Sequence, residues 1–136
     1  MRIALVLSLL AAPALVATSA LADTTPYTLT ATADAAKKGA PGKIHVRVTP
    51  AAGHHMNKDF PTSLTLVPPA GVTLPKAQLS AKDASKLVEG ELAFDVEFTA
   101  ADAGKKDVTG TAKFAVCTEK NCAPQTAKVL VSLDVK

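Results

Sequence analysis

The stretch Glu91–Ala100 reads ELAFDVEFTA, and it indicates the fold class more clearly than any other part of the chain. Its apolar side chains recur at every second position, at Leu92, Phe94, Val96 and Phe98. The positions between them include the acidic residues Glu91, Asp95 and Glu97. Successive side chains of a β-strand point to opposite faces, so this alternation predicts a strand with one face on a core and the other in solvent.

The same period of two recurs along the chain after residue 23. The segments that read as strands are Tyr27–Ala31, Lys43–Pro50, Ser63–Pro69, Gly71–Pro75, Asp107–Cys117 and Thr126–Lys136. Together with Glu91–Ala100 they make about seven short strands separated by turn signals. This pattern predicts an all-β antiparallel sandwich. One longer connection, Lys76–Gly90, interrupts the pattern and predicts a helical turn or a loop.

The first 22 residues, MRIALVLSLLAAPALVATSALA, have the features of an export signal. Arg2 supplies a positive start, a long apolar run follows, and Ala20–Ala22 is an A-x-A cleavage site. We expect a cleaved signal peptide over residues 1–22 and one mature domain over residues 23–136. No later apolar stretch is long enough to span a membrane, so a periplasmic or secreted protein is expected, where disulfides persist.

Composition excludes several function classes. The full chain has a formal net charge of +3 and only 4% aromatic residues, and its lysines are scattered. Nucleic acid binding requires a basic stripe or patch, which the sequence lacks. It also has no G-x-S-x-G motif and no phosphate-binding loop, so a hydrolase is not indicated.

The only two cysteines lie in AVCTEKNCAPQT, residues Ala115–Thr126. Cys117 ends one predicted strand and Cys122 begins the next, which makes Thr118–Asn121 a hairpin loop. A disulfide at the base of this exposed turn is geometrically reasonable. As a staple it is weak, because closing so short a loop is worth only about 2 kcal/mol. Local chemistry leaves three roles open: a redox couple, a structural hairpin disulfide or part of a metal site.

Two segments carry a resemblance to a known family. Lys113–Leu133, KFAVCTEKNCAPQTAKVLVSL, has two closely spaced cysteines and a proline, Pro124, soon after the second. Ala51–Pro75, AAGHHMNKDFPTSLTLVPPAGVTLP, has a glycine and histidines before a strand and a P-x-G-V turn. These segments resemble the N-terminal periplasmic domain family of the thiol:disulfide interchange protein DsbD.

The resemblance implies a fold and a function. The fold is an immunoglobulin-like antiparallel β-sandwich. Cys117 and Cys122 would form a redox-active pair that is reduced by a membrane-embedded thiol reductase. The dithiol would then reduce thioredoxin-like or other exported oxidised proteins, and no cofactor is expected. The membrane helices and thioredoxin-like domain that follow in the family would be separate polypeptides.

The sequence departs from the family at two places. Members of the family cover the disulfide with a loop that bears aromatic residues, whereas the corresponding stretch here, Ala77–Glu89, has none. Tyrosines that flank the site in those members are replaced by His54 and His55. We therefore expect this connection to lie near the cysteine hairpin and to shield it poorly.

Two other functions compete with redox exchange. His54, His55 and Met56 offer two imidazoles and a thioether, which suggests a periplasmic copper-binding protein. Neighbouring residues of a strand point to opposite faces, however, so one histidine would face solvent and the other would pack or form a hydrogen bond. The second alternative is a non-enzymatic immunoglobulin-like binding or accessory module whose cysteines form an inert disulfide.

Pro124, two residues after Cys122, suggests which cysteine forms the mixed disulfide with a partner and which one resolves it. Pro124 has no N–H to donate to a neighbouring strand, so the backbone beside Cys122 should be open at an edge. Cys117, at the end of a regular strand, should be less open. The hypothesis is that Cys122 forms the mixed disulfide with partners and Cys117 resolves it.

Overall fold

The computed structural model describes residues 25–136, and the expected signal peptide lies outside the described residues. The described part contains ten strands, one 3-10 turn at Ala81–Asp83 and no α-helix. The strands are β1 Tyr27–Ala33, β2 Pro41–Pro50, β3 His55–Met56, β4 Ser63–Val67, β5 Val72–Thr73, β6 Gln78–Ser80, β7 Lys86–Val88, β8 Glu91–Ala100, β9 Gly104–Cys117 and β10 Cys122–Val135.

The strands form two antiparallel sheets. The first has the order β1-β2-β8-β5, and β7 also pairs with β8. The second has the order β10-β9-β4-β6, and β3 also pairs with β9. Consequently β9 has β10 along its full length on one side, and β3 and β4 in succession on the other.

The core lies between the two sheets and is built from the alternating positions of the long strands. Its largest fully buried side chains are those of Phe94, Phe98, Phe114, Ile44, Met56, Leu64, Leu92 and Leu133. Tyr27 packs edge-on against Phe114, with ring centroids 4.9 Å apart. Burial of these large apolar side chains is the main favourable contribution to folding.

The predicted all-β, immunoglobulin-like antiparallel β-sandwich is confirmed. Residues 92, 94, 96 and 98 of β8 are all at most 3% exposed, as the alternation predicted. The connection Lys76–Gly90 is more ordered than a loop, since it holds β6, the 3-10 turn and β7. Among residues 25–136, no helix has the length and apolar character that crossing a bilayer requires.

Candidate functional site at the β9–β10 hairpin

The two cysteines form a disulfide between directly opposed residues. Cys117 is the last residue of β9 and Cys122 the first of β10, and their Cα atoms are 3.9 Å apart. The Thr118 N–H donates to the Asn121 carbonyl at 2.7 Å. Hydrogen-bonded and non-hydrogen-bonded pairs alternate along an antiparallel ribbon, so Cys117 and Cys122 form a non-hydrogen-bonded pair, in which side chains lie closest.

The loop that joins the strands is held by one threonine. The Thr118 Oγ1 accepts the Lys120 N–H at 3.3 Å and the Asn121 N–H at 3.2 Å. A hydroxyl that binds the backbone two residues ahead is a common way of closing a turn. The hairpin therefore brings the two cysteines together through its own backbone and Thr118.

The two cysteines differ in their exposure to solvent. Cys117 is only 3% exposed, whereas Cys122 is exposed. The difference arises because Cys117 lies on the central strand β9, with neighbours on both sides, while Cys122 begins the edge strand β10. The disulfide was expected in an exposed turn, with Cys117 less open than Cys122, and the structure shows Cys122 exposed and Cys117 buried.

A third side chain lies in line with the disulfide. Cys117 is paired with Cys122 on one side and with His55 of β3 on the other. The Asn57 N–H donates to the Ala115 carbonyl at 3.0 Å and fixes this register. Paired residues of adjacent strands project from the same face. His55, Cys117 and Cys122 therefore form one row across three strands, on the outer face of the sheet.

The same register decides where backbone groups point. Cys117 has its N–H and C=O directed at β3, since it is not hydrogen-bonded to Cys122. Cys122 therefore has its own N–H and C=O directed away from β9, at the open edge. Pro124, opposite Ala115, also belongs to a non-hydrogen-bonded pair, and its nitrogen carries no hydrogen. The edge offers a donor at Cys122 and none at Pro124.

The disulfide lies in a shallow groove of about 190 Å³. Its lining residues are His55, Met56, Asn57, Lys58, Asp59, Glu89, Cys117 and Cys122. Glu89 ends the connection that was expected near the hairpin, and its carbonyl accepts the Met56 N–H at 2.8 Å. None of the lining residues is Phe, Tyr or Trp. A larger depression of about 560 Å³ beside Gly42 is lined by no cysteine or histidine.

The remaining metal candidates do not converge with His55. The Nδ1 atom of His54 lies 3.1 Å from the Ala52 carbonyl in its own turn. Met56 is 1% exposed and packs in the core, on the face opposite to His55. Over residues 25–136 there is no group of three or more His, Cys, Asp or Glu side chains that could hold a metal ion.

Another histidine has partners that the sequence did not reveal. On the outer face of the first sheet, Nδ1 of His45 lies 2.6 Å from Asp95 and Nε2 lies 3.1 Å from Asp34. The hydrogen bond to Asp95 is the main cause of the raised pKa of His45, and Asp34 adds to it. The pKa of Asp95 is lowered by the same hydrogen bond. Alternation placed His45 and Asp95 on outward faces, but only the β2–β8 register makes them neighbours.

Two solved structures are similar to this chain. AggA, the major subunit of aggregative adherence fimbriae type I from Escherichia coli, is 14% identical over 83% of this chain and 97% of its own, with a TM-score of 0.41. The FixG-related protein from Vibrio parahaemolyticus is 10% identical over 83% of this chain and 99% of its own, with a TM-score of 0.44. No curated protein sequence matches the chain.

A family match is more specific. The family described as the N-terminal part of the thiol:disulfide interchange protein DsbD matches residues 25–133. This range covers nearly all of the described residues and includes both cysteines of the hairpin. The chain therefore belongs to the N-terminal domain family of the thiol:disulfide interchange protein DsbD.

Proposed function

We propose that the protein carries out periplasmic thiol:disulfide exchange through Cys117 and Cys122. A membrane-embedded thiol reductase would be the electron donor, and thioredoxin-like or other exported oxidised proteins would be the acceptors. Membership of a family of periplasmic thiol:disulfide interchange domains supports this. The observation that carries it is the unequal disulfide, which joins one exposed cysteine to one buried cysteine.

The exchange proceeds in two displacements. A donor thiolate attacks the Cys122 sulfur, the Cys117–Cys122 bond breaks, and its electron pair leaves on the Cys117 sulfur, which takes up a proton. A second thiol of the donor then displaces the Cys122 thiolate from the mixed disulfide. The donor ends as a disulfide and the hairpin as a dithiol, and the same steps in reverse reduce the acceptor.

The proposed order of attack follows from how accessible each cysteine is to an incoming thiolate. A thiolate must approach a disulfide sulfur directly, and Cys122 is the exposed one. The open edge beside Cys122 gives a partner backbone room to dock, whereas β3 and β10 flank Cys117. Cys122 is therefore the sulfur that joins partners, and Cys117 is the one that leaves and later resolves the mixed disulfide.

Single cysteine substitutions test this order. Cys117→Ser leaves Cys122 without a resolving thiol, so it should accumulate covalent adducts with partners in an exporting host. Cys122→Ser is the matched control and should accumulate few, since the remaining thiol is buried. Non-reducing gels with and without reductant measure both. Equal trapping by the two variants would contradict the order, and trapping by neither would contradict the redox function.

A structural disulfide is the second candidate, and the burial of Cys117 favours it. The two functions differ in reduction potential. A structural disulfide in an exported protein has a potential below about −300 mV, whereas a working couple lies above that value. Equilibration of the purified protein with a defined redox buffer measures the potential.

A further inference from the structure

Breaking the Cys117–Cys122 bond creates a charge problem inside the protein. If a partner attacks Cys122, the electron pair leaves on Cys117, whose side chain is 3% exposed. An ionised group shielded from water is costly unless an opposite charge or a proton compensates it. The same problem appears in reverse, because Cys117 must lose a proton before it can resolve a mixed disulfide.

His55 is a titratable group placed to compensate the negative charge left on Cys117. It is paired with Cys117 across the β3–β9 ribbon and lies on the same face of the sheet. It is exposed, so it can exchange protons with solvent, and it lines the groove that contains both cysteines. Imidazoles gain and lose a proton between about pH 5 and 8, where the other common side chains do not.

The other charged groups around the groove are carboxylates and lysines. Lys58 and Asp59 come from the segment after β3, and Glu89 from the connection before β8. Glu119 and Lys120 lie in the hairpin loop, next to the disulfide. Within the lining, the lysine and Asp59 offset each other, so Glu89 leaves an excess of negative charge. Negative charge beside the groove repels a thiolate that forms there.

We propose that His55 is the proton donor and acceptor for Cys117 in each exchange, a role that deepens and rests on the proposed thiol:disulfide function. In the forward step, a thiolate attacks Cys122, the disulfide breaks, and the imidazolium of His55 gives its proton to the departing Cys117 sulfur. In the resolving step, neutral His55 takes that proton back. Cys117 then attacks Cys122, and the partner thiolate leaves.

The test uses glutathione as the thiol and the intact exported protein. The rate of disulfide opening is measured between pH 5.5 and 8 and divided by the concentration of glutathione thiolate. In the wild type this rate constant should fall about tenfold as pH rises, since general acid–base catalysis by a fully positioned group gives about 100-fold or more and His55 is partly hydrated. His55→Gln should give a flat profile at the low value.

Two further variants distinguish an effect of the charge at position 55 from a general effect of substitution in this segment. His54→Gln removes the neighbouring imidazole, which is bound to its own turn, and should keep the wild-type profile. His55→Lys keeps a positive charge from pH 5.5 to 8 and should hold the rate constant high up to pH 8. A wild-type profile in His55→Gln, or a low and flat one in His55→Lys, would overturn the role of His55.

The outcome for His55 is separable from the proposed function. Glutathione opens an accessible disulfide whatever its natural partner, so the pH profile does not depend on partner identity. Partner trapping by Cys117→Ser together with no effect of His55→Gln would leave the function standing and remove the proton-transfer role. A His55-dependent pH profile without any trapped partner would support the proton-transfer role of His55 and contradict the proposed function.

Discussion

The outer faces of the two sheets each carry a histidine, and the two histidines are held in opposite ways. His45 on the first sheet has both ring nitrogens bound, to Asp95 and Asp34. His55 on the second sheet lies beside the disulfide, and no ion pair or side-chain hydrogen bond to it occurs in the described residues. An imidazole bound at both ring nitrogens stabilises the register of its strands, whereas one without such partners leaves its ring nitrogens open.

The charged residues around the two histidines differ in the same way, because in the described part of the chain ion pairs surround His45 and not the disulfide groove. Glu91 of β8 binds Arg47 at 2.9 Å and Lys86 at 2.7 Å, which ties together β2, β7 and β8. Within residues 25–136, none of the five ion pairs involves a residue of the disulfide groove. A single exposed pair contributes little to stability, but a network that joins three strands favours one register.

The largest expected effect is on the rate of disulfide reduction, between a substitution of Cys122 on the second sheet and one of His45 on the first. Cys122→Ser should abolish reduction of an oxidised thioredoxin-like protein by dithiothreitol through this domain, because no intramolecular pair remains to carry two electrons. His45→Gln should leave the rate unchanged, since His45 lies on the other sheet. Turnover is followed as loss of the substrate disulfide. A rate in Cys122→Ser well above that of dithiothreitol alone would contradict the role of this sulfur.

Loss of the disulfide should affect stability much less than it affects exchange. The double variant Cys117→Ala and Cys122→Ala should lower the free energy of unfolding by about 2 kcal/mol or less, because the closed loop is short. The hairpin bonds of Thr118 and Asn121 already restrict that loop. Urea unfolding measures the change. A loss above about 4 kcal/mol would instead favour a structural role for the disulfide.

The histidine of the first sheet should make stability depend on pH. Because the pKa of His45 is raised above its ordinary 6.5, its ion pairs contribute fully below that value and the contribution is lost as pH rises through the folded-state pKa. Because the pKa of Asp95 is lowered from 3.8, its contribution is present above that value and is lost as pH falls.

Stability should therefore decrease by less than about 1 kcal/mol when the pH rises from about 6 to 8, since the pairs are partly exposed. His45→Gln should remove this dependence, whereas His54→Gln should retain it. Urea unfolding at the two pH values is the measurement. The same slope in His45→Gln and the wild type would show that the histidine does not stabilise the sheet.

The smallest expected effect concerns Glu89 in the groove. Glutathione is negatively charged, and two charges about 7 Å apart in water interact by about 0.6 kcal/mol. Glu89→Gln should therefore speed opening of the disulfide by glutathione about twofold to threefold. Glu97→Gln, on the first sheet, is the matched control and should change nothing. The difference should vanish near 1 M salt, where charges are screened over about 3 Å.

The sequence could predict those strands whose residue pattern is contained within a short stretch of the chain. Alternation over β8 was enough to place Leu92 and Phe94 in the core, and the position of the cysteines at strand ends predicted the hairpin. The bounds and the partner of the two-residue strand β3 could not be predicted, because two residues contain no period. Its existence depends on docking beside β9, where Asn57 meets Ala115.

The sequence by itself determined an all-β chain and a cysteine pair facing each other across a four-residue turn. Both depend on neighbours along the chain, through the period of a strand and the length of a loop. Pro124 already suggested that Cys122 is the more open cysteine, but only the tertiary structure decided that Cys117 is almost fully buried and that His55 is in line with the pair. Those facts depend on which strands lie at the centre or edge of a sheet, and that is decided when distant apolar faces pack together.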